Sequence, residues 1–215
     1  MLGALPRPAV LVMTSGNVSD EPMVYRDGNA LSRLKKIADF CLLHDREIRT
    51  RCDDSVARIL PFTGAEYFLR RSRGYAPEPF ELPVKLKRNV LALGAHLKNT
   101  FCLASGREAA VSHHIGDLEN MEAYLALKDG VSHLLKLLDF KPDAIACDSH
   151  PDYLSTKFAH ELSREKEPAM VQHHHAHVAA CMADNMLAGE KVIGVAFDGT
   201  GYGADGRIWG GEFLT

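Results

Sequence analysis

The sequence predicts an α/β protein built as two units, the second of which begins to repeat itself. Three observations predict it. Strand-like apolar runs alternate with segments of helical period along the whole chain. The charge balance changes part-way: residues 1–88 hold 15 Lys/Arg against 11 Asp/Glu, and residues 89–215 hold 10 against 17. An apolar strand that runs into a polar turn and back into a strand occurs at "VLALGAHLKNTFCL" and again at "VIGVAFDGTGYGADGRIWGGEFL". The order β-β-β-α-β-α-β-α followed by a new β-β is that of a duplicated α/β lobe.

In chain order, "AVLVM" (9–13) reads as a buried strand ending in the turn "TSGN", where Gly16 is free to take positive φ. "NALSRLKKIADF" has helical spacing of Leu31, Leu34, Ile37 and Ala38, with Asn29 as its N-cap. "FCLLHD" and "EYFLRRSRGY" read as strands. "GYAPEPFELPVKLKR" (74–88) holds three prolines and a basic end, which suits a linker. The predicted division is therefore 1–80, a linker at 81–88, and 89–215.

The second unit opens with strands at 89–95, 99–105 and 108–113, the last two joined at "SGRE". "LENMEAYLALKDGVSHLLKLLDF" is a long amphipathic helix, weakened near its middle by Gly130. "PDAIACD" is a strand, "DYLSTKFAHELSREKE" a helix, "AMVQ" a short strand and "HHHAHVAACMADNML" a helix. The glycine-rich hairpin from Lys191 onward ends the chain.

Composition excludes several classes. A net charge of −3 gives no reason to expect nucleic-acid binding across the chain. Five widely spaced cysteines without C-x-x-C argue against a disulfide framework or a cysteine-based zinc site, and fit a reducing cytosol. No apolar run reaches the ~18 residues that crossing a bilayer requires, so the expectation is a soluble cytoplasmic protein.

The chemistry concentrates in "VQHHHAHVAA", where four of the eleven histidines fall within five positions. His173 and His177 stand four apart at a helix start, which sets both rings on one face where one cation can take both. Two imidazoles need a carboxylate, and Asp198 at the end of the next strand is placed where ligands gather in α/β sheets. The H-E-x-x-H pattern is not met, because position 174 is histidine. The competing reading is a solvated polar helix start.

"DGTGYGADG" (198–206) offers Gly199, Thr200, Gly201 and Gly203 as a backbone cradle for phosphate, against the alternative of a plain hairpin turn. It lacks the closing glutamate of a calcium loop. "GAHLKNT" offers a first phosphate turn, with Lys98 as point charge and Thr100 as donor. Ser15 and Asn17 end a strand with free donors, and Arg70, Arg71 and Arg73 supply three permanent cations, enough for a di- or triphosphate. An edge strand protected by charge explains the arginines equally well. The mixed charges of "HDREIRTRCDDSVAR" read as a solvated ion-pair network, and "CDSHPDYLST" as a capped strand-to-helix turn with Pro151 at the helix start.

These motifs carry a resemblance. "MTSGNVSDEPMV", "LLHDREIRTRCDDSVAR" and "RRSRGYAPEP" resemble the end of the YrdC-like domain of the HypF family, the carbamoyltransferases of NiFe-hydrogenase maturation. "ALGAHLKNTFCL", "HIGDLEN", "CDSHPDYLSTKFA", "QHHHAHVAACMADN" and "FDGTGYGADGRIWGGEFL" resemble the start of that family's Kae1-like domain, of actin/hexokinase (ribonuclease H-like) fold. The resemblance implies an enzyme that makes carbamoyl-adenylate from carbamoyl phosphate and ATP with magnesium. The carbamoyl group then passes to the C-terminal cysteine of the partner HypE, on the way to a cyanide ligand.

By the same resemblance His173, His177 and Asp198 hold a divalent metal, zinc or iron. Lys98, Asn99 and Thr100 match the first phosphate turn of the family and Gly199 to Gly203 the second. Ser15, Asn17 and the Arg70, Arg71, Arg73 cluster match part of the adenylate-forming pocket. No residue stands out as a catalytic nucleophile. The resemblance also implies that both ends are cut, so that 215 residues alone are inactive or nearly so. Two other readings compete: the threonylcarbamoyl-adenylate and tRNA pathway, which uses related modules, and an inactive truncated product whose strands 192–197 and 207–214 lack their lobe.

Overall fold

The computed structural model describes residues 10, 14–17, 23–163 and 166–215. The strand predicted at 9–13 lies outside these residues except for Val10. The chain divides into two compact units, 1–51 and 52–215.

In the first unit, α1 (Asp27–Leu34) forms where the amphipathic pattern predicts a helix, but it starts earlier. Its N-cap is Arg26, without a side-chain cap bond, and Asn29 lies inside the helix. Asp27 in the first turn faces the positive helix end instead. "FCLLHD" makes no strand, and Phe40 and Leu42 are exposed.

The second unit opens with β1 (Val56–Ile59) and β2 (Glu66–Arg70), an antiparallel pair with Ile59 opposite Glu66. The expected linker is not free. Within it β3 (Phe80–Glu81) pairs antiparallel with β6 (Glu108–Val111), and the Leu82 and Leu86 amides donate to Arg107 and Gly106 carbonyls, each at 2.7 Å. Pro79 and Pro83 flank this strand, and prolines are tolerated there because it is an edge.

Six strands form one sheet in the order β3-β6-β5-β4-β7-β8, with β4 at Val90–Leu93, β5 at Phe101–Ser105, β7 at Ala144–Asp148 and β8 at Ala169–Val171. β4, β5 and β6 form an antiparallel meander, turned at Gly106 with φ +59°. β7 runs parallel to β4 and β8 parallel to β7. Such connections need crossovers, supplied by α2 (Met121–Leu137) and α3 (Leu154–Leu162).

α2 is fixed at its start by the Asn120 side chain, which accepts from the Glu122 amide at 2.8 Å. Its Leu127, Val131 and Leu134 pack on Leu91, Leu93, Phe101 and Leu103 of the sheet, and Phe158 and Ala159 of α3 complete the core. Gly130, which weakens the helix on propensity, has a packing reason. A Cβ there would stand 3.3 Å from the Phe101 ring.

The core sets thiol reactivity. Burial pushes Cys102 up to about 11, against the opposing Ala110 backbone bond. Burial, with the nearby Asp148 charge, pushes Cys147 up to about 11. Because these values are raised, the stability they carry is full below about pH 9 and is lost as pH climbs towards 11. At pH 8, an alkylating reagent is expected to modify exposed Cys41 and Cys181 and spare Cys102 and Cys147 until denaturant is added. Peptide mapping that finds Cys147 modified as fast as Cys181 in native protein would contradict this.

Beyond β8, α4 (His173–Asp184) begins at once, capped by Gln172, whose side chain accepts from the His175 amide at 2.8 Å. β9 (Gly194–Tyr202) and β10 (Ile208–Leu214) then form a separate two-stranded sheet. β4, β7 and β8 therefore all send their C-terminal ends towards the same edge of the six-stranded sheet, where α/β folds collect ligands.

Candidate functional site

The α4 start places His173 and His177 one turn apart with ring centroids 4.7 Å apart. Asp198 comes from β9, and it lies inside that strand rather than at its end. The register explains its aim. Gly201 pairs with Trp209 and Phe197 with Gly211, so three residues, 198–200, stand opposite the single Gly210. Such a bulge bends the strand and redirects its side chains.

Asp198 Oδ2 lies 2.9 Å from His173 Nε2 and 3.1 Å from His177 Nε2. Among the described residues this is the one group of three whose donor atoms fall within 4.8 Å of one another. Ligand atoms about 2.0–2.1 Å from a tetrahedral ion lie roughly 3.3 Å apart, close to the two His–Asp separations, and all three donor atoms lie within 4.8 Å of one another. The residues fit a divalent metal.

A fourth residue fixes the first, and sequence reading passed over it. Asp148 ends β7, its side chain only 6 % exposed, and its Oδ2 accepts from His173 Nδ1 at 2.6 Å. Its Oδ1 accepts the His150 amide at 2.8 Å, so "CDSHPDYLST" does turn here, but α3 starts only at Leu154, with Tyr153 as an N-cap lacking a side-chain bond and Pro151 still in the turn. A carboxylate on Nδ1 leaves Nε2 as the ligand atom and holds the ring plane, the usual support of a metal-binding histidine. The signal available in the sequence was an aspartate closing a strand one place along the sheet from β8.

The charges agree. The Asp148 bond, against burial and with help from Asp198, raises His173 above its ordinary value. Burial works against the Asp198 charge, but bonds from His177, the Gly199 amide and His173 outweigh it and hold the carboxyl low. Burial first, then Asp148 and Asp198, push Tyr153 up. Two carboxylates thus set a negative potential where a cation would sit.

His174 turns away from this group and is fully buried. Its Nδ1 bonds Glu212 of β10, which also accepts from Gln172 Nε2 at 2.8 Å. Protein side chains fill part of the second glycine motif, while Gly199 and Thr200 stay exposed. Gly199, Thr200 and Gly201 lie within β9, and the turn is confined to the residues that follow, where Gly206 has φ +74°. The Gly199 amide donates to Asp198 Oδ1 at 2.6 Å. A Cβ at Gly201 would lie 2.5 Å from the His174 ring, and one at Gly203 would lie 2.3 Å from the Trp209 ring. Close packing accounts for these two glycines.

The residues of the "GAHLKNT" turn take different places. Lys98 takes φ +49° with its amide on Asp117 Oδ1 at 2.7 Å. Asn99 is buried, and its side-chain amide donates to the Gly94 and Ala95 carbonyls at 3.0 and 2.7 Å, so it braces the turn instead of facing a ligand. Lys98 and Thr100 line a cavity of about 350 Å³ together with Arg70, Arg71 and His114. Arg71 is aimed by donating to the Tyr75 and Glu78 carbonyls, both at 3.1 Å. His114, which sequence reading did not single out, is held by Asp53 at 2.9 Å. Arg73 takes another course, donating to the Cys52 carbonyl at 2.9 Å and pairing with Asp54 at 3.6 Å. In the first unit, Ser15 Oγ bonds Asn17 Oδ1 across the "TSGN" bend.

Comparison with known proteins divides the chain differently from the two compact units, whose boundary falls at 51/52. Residues 1–72 match the Sua5/YciO/YrdC model described as telomere recombination, 85–184 match the HypF Kae1-like domain, and 194–215 match the second subdomain of the Kae1-like carbamoyltransferase domain. The chain is 45 % identical over 214 residues to carbamoyltransferase HypF of Synechocystis sp., covering 100 % of this chain and 27 % of that protein. It is 49 % identical over 215 residues to HypF2 of Cupriavidus necator, covering 98 % and 26 %. A crystal structure of full-length HypF in the phosphate- and nucleotide-bound form superposes with TM-score 0.85 at 49 % identity, covering 94 % of this chain and 26 % of that one. The T. kodakarensis HypF structure gives TM-score 0.82 at 43 % identity, covering 94 % and 26 %.

The chain belongs to the HypF family.

Its fold is accordingly α/β, with YrdC-like and Kae1-like parts, and it spans about a quarter of the length of the HypF relatives it matches. In HypF terms the metal-capable group is composite. His173 and His177 fall in the first matched part of the Kae1-like domain and Asp198 in the second. The cavity is composite too, because Arg70 and Arg71 fall in the YrdC-like match and Lys98 and Thr100 in the Kae1-like match. Among the described residues, no helix is long and apolar enough to cross a membrane.

Proposed function

We propose that the chain is the carbamoyl-transfer portion of a NiFe-hydrogenase maturation enzyme. The reaction joins carbamate, released from carbamoyl phosphate, to the AMP part of ATP with loss of pyrophosphate. The HypE cysteine thiolate then attacks the carbamoyl carbon, a C–S bond forms, the C–O bond to AMP breaks, and AMP leaves with the electron pair. The observation that carries this reading is the convergence of His173, His177 and Asp198, with Asp148 behind His173.

When bound, a divalent cation, zinc or iron by its His/Asp donor set, supplies Lewis-acid polarisation of an oxygen on the carbamoyl or phosphate group. The protein's own groups do the rest. Asp148 keeps His173 Nε2 directed at the site. Arg70, Arg71 and Lys98 offset phosphate charge, with Thr100 as a neutral donor beside them. Ser15 and Asn17 belong to the adenylate-forming part, and ATP enters as its magnesium complex. The matches to HypF models over 85–184 and 194–215 favour this reading over the threonylcarbamoyl pathway. The free thiols support a reducing cytosol as its compartment.

The test uses the full-length protein with ATP, magnesium, carbamoyl phosphate and HypE. Mass spectrometry is expected to show one added carbamoyl group on the HypE C-terminal cysteine, with pyrophosphate released in equal amount. An unmodified HypE thiol under conditions that release pyrophosphate would overturn the transfer role.

A further inference from the structure

We propose that His174, which holds no ligand itself, is a positioning residue that clamps the two halves of the metal site together through Glu212. The inference rests on the metal reading above and assigns a separate task to its neighbour.

The geometry has three parts. The His174 ring is fully buried, its Nδ1 bonds Glu212 of β10, and its Nε2 has no hydrogen-bond partner among the described residues. Glu212 receives a second bond, at 2.8 Å, from Gln172, the residue that caps α4. The Nδ1–Cε1–Nε2 side of the ring lies against Gly201, so closely that any side chain at 201 would overlap it. One imidazole therefore ties the first turn of α4 to both strands of the β9–β10 pair.

That connection is where the site needs it. α4 carries His173 and His177, whereas Asp198 rides on a bulge of β9, four residues before Tyr202 and three before Gly201. Glu212 pairs with Ala196, two residues from Asp198 on the other side. The contacts of His174 thus bracket Asp198 along β9. Because ligand atoms must be held to within about 0.5 Å, a helix and a hairpin free to slide would not keep three donors on one ion. A largely enclosed carboxylate, 16 % exposed, is also poorly tolerated without partners, so Glu212 draws Gln172 and His174 to itself.

Zinc affinity, read by competition with a chromophoric chelator, tests the clamp in the full-length protein. His173→Ala, which removes a ligand, should lose measurable competition. His174→Ala should weaken binding roughly 10–100-fold while one site per chain is retained, as for supporting groups of other metal sites. His174→Asn, which can still donate to Glu212 from nearly the Nδ1 position, should recover most of the loss. Glu212→Gln should fall between, and it carries the test if His174→Ala does not fold. Val131→Ala, in the core on α2, should lower the melting temperature without changing affinity, which separates positioning from loss of stability.

Unchanged affinity in both His174→Ala and Glu212→Gln, beside a metal-free His173→Ala, overturns the clamp and leaves the metal reading standing. Affinity that falls as much in Val131→Ala as in the His174 variants also overturns it. Wild-type protein that binds no zinc, or His173→Ala that binds it unchanged, overturns both.

Discussion

His173→Ala in the full-length protein is expected to lose carbamoyl transfer to the HypE thiol by at least about 100-fold, while pyrophosphate release stays within about twofold of wild type. The magnitude follows from what the residue does. Removing one electrostatic contact to developing charge in an enclosed site costs about 10²–10³ in rate, and a lost metal removes more than one. The split follows from location, because Arg70 and Arg71 in the YrdC-like match owe nothing to His173. His177→Ala should be milder. Its side chain is 58 % exposed and makes one carboxylate contact, whereas His173 is 14 % exposed and lies between two. Parallel assays of pyrophosphate and of carbamoylated HypE check this. Transfer that persists in His173→Ala would remove the metal from the mechanism, and equal loss of both activities would mean that the substitution damages the fold.

Much of this site could be read from sequence because its signals are local. An i, i+4 histidine pair is a property of five residues, and its geometry follows from helix pitch. Strands β4 to β10 likewise announce themselves through apolar runs broken by turns. What escaped depends on contacts between distant segments. β1 sits in a run of charges and is exposed along its length, so no alternation marks it. β3 hides among prolines that read as linker, and only its pairing with β6 makes it a strand. "FCLLHD" shows the reverse, an apolar run with strand propensity that forms no strand. The glycines at 201 and 203 look like a phosphate cradle in composition, yet the rings of His174 and Trp209 require them. Asp148 is 25 residues from His173 and carries a sufficient local explanation as a turn residue, so nothing in its neighbourhood points to the histidine.

Asp148→Ala is the variant that separates those two roles, and it is expected to weaken metal binding about 10–100-fold with every ligand intact. The carboxylate accepts from His173 Nδ1 on one oxygen and from the His150 amide on the other. Alanine removes both, leaves a largely buried imidazole N–H without its acceptor, and should cost about 1–3 kcal/mol of stability as well. Asp148→Asn discriminates. Its amide oxygen can keep the His150 turn, but the second oxygen becomes an NH₂ that cannot accept from Nδ1–H. If Asp148 serves the metal, the asparagine variant recovers most of the melting temperature and little of the affinity. If Asp148 serves only the turn, both recover together, and His173 must be held by Asp198 alone. Chelator competition and thermal melting on the same three proteins decide between these outcomes. The first is expected, because the bond to His173 is the shorter of the two and comes from a side chain that is almost wholly buried.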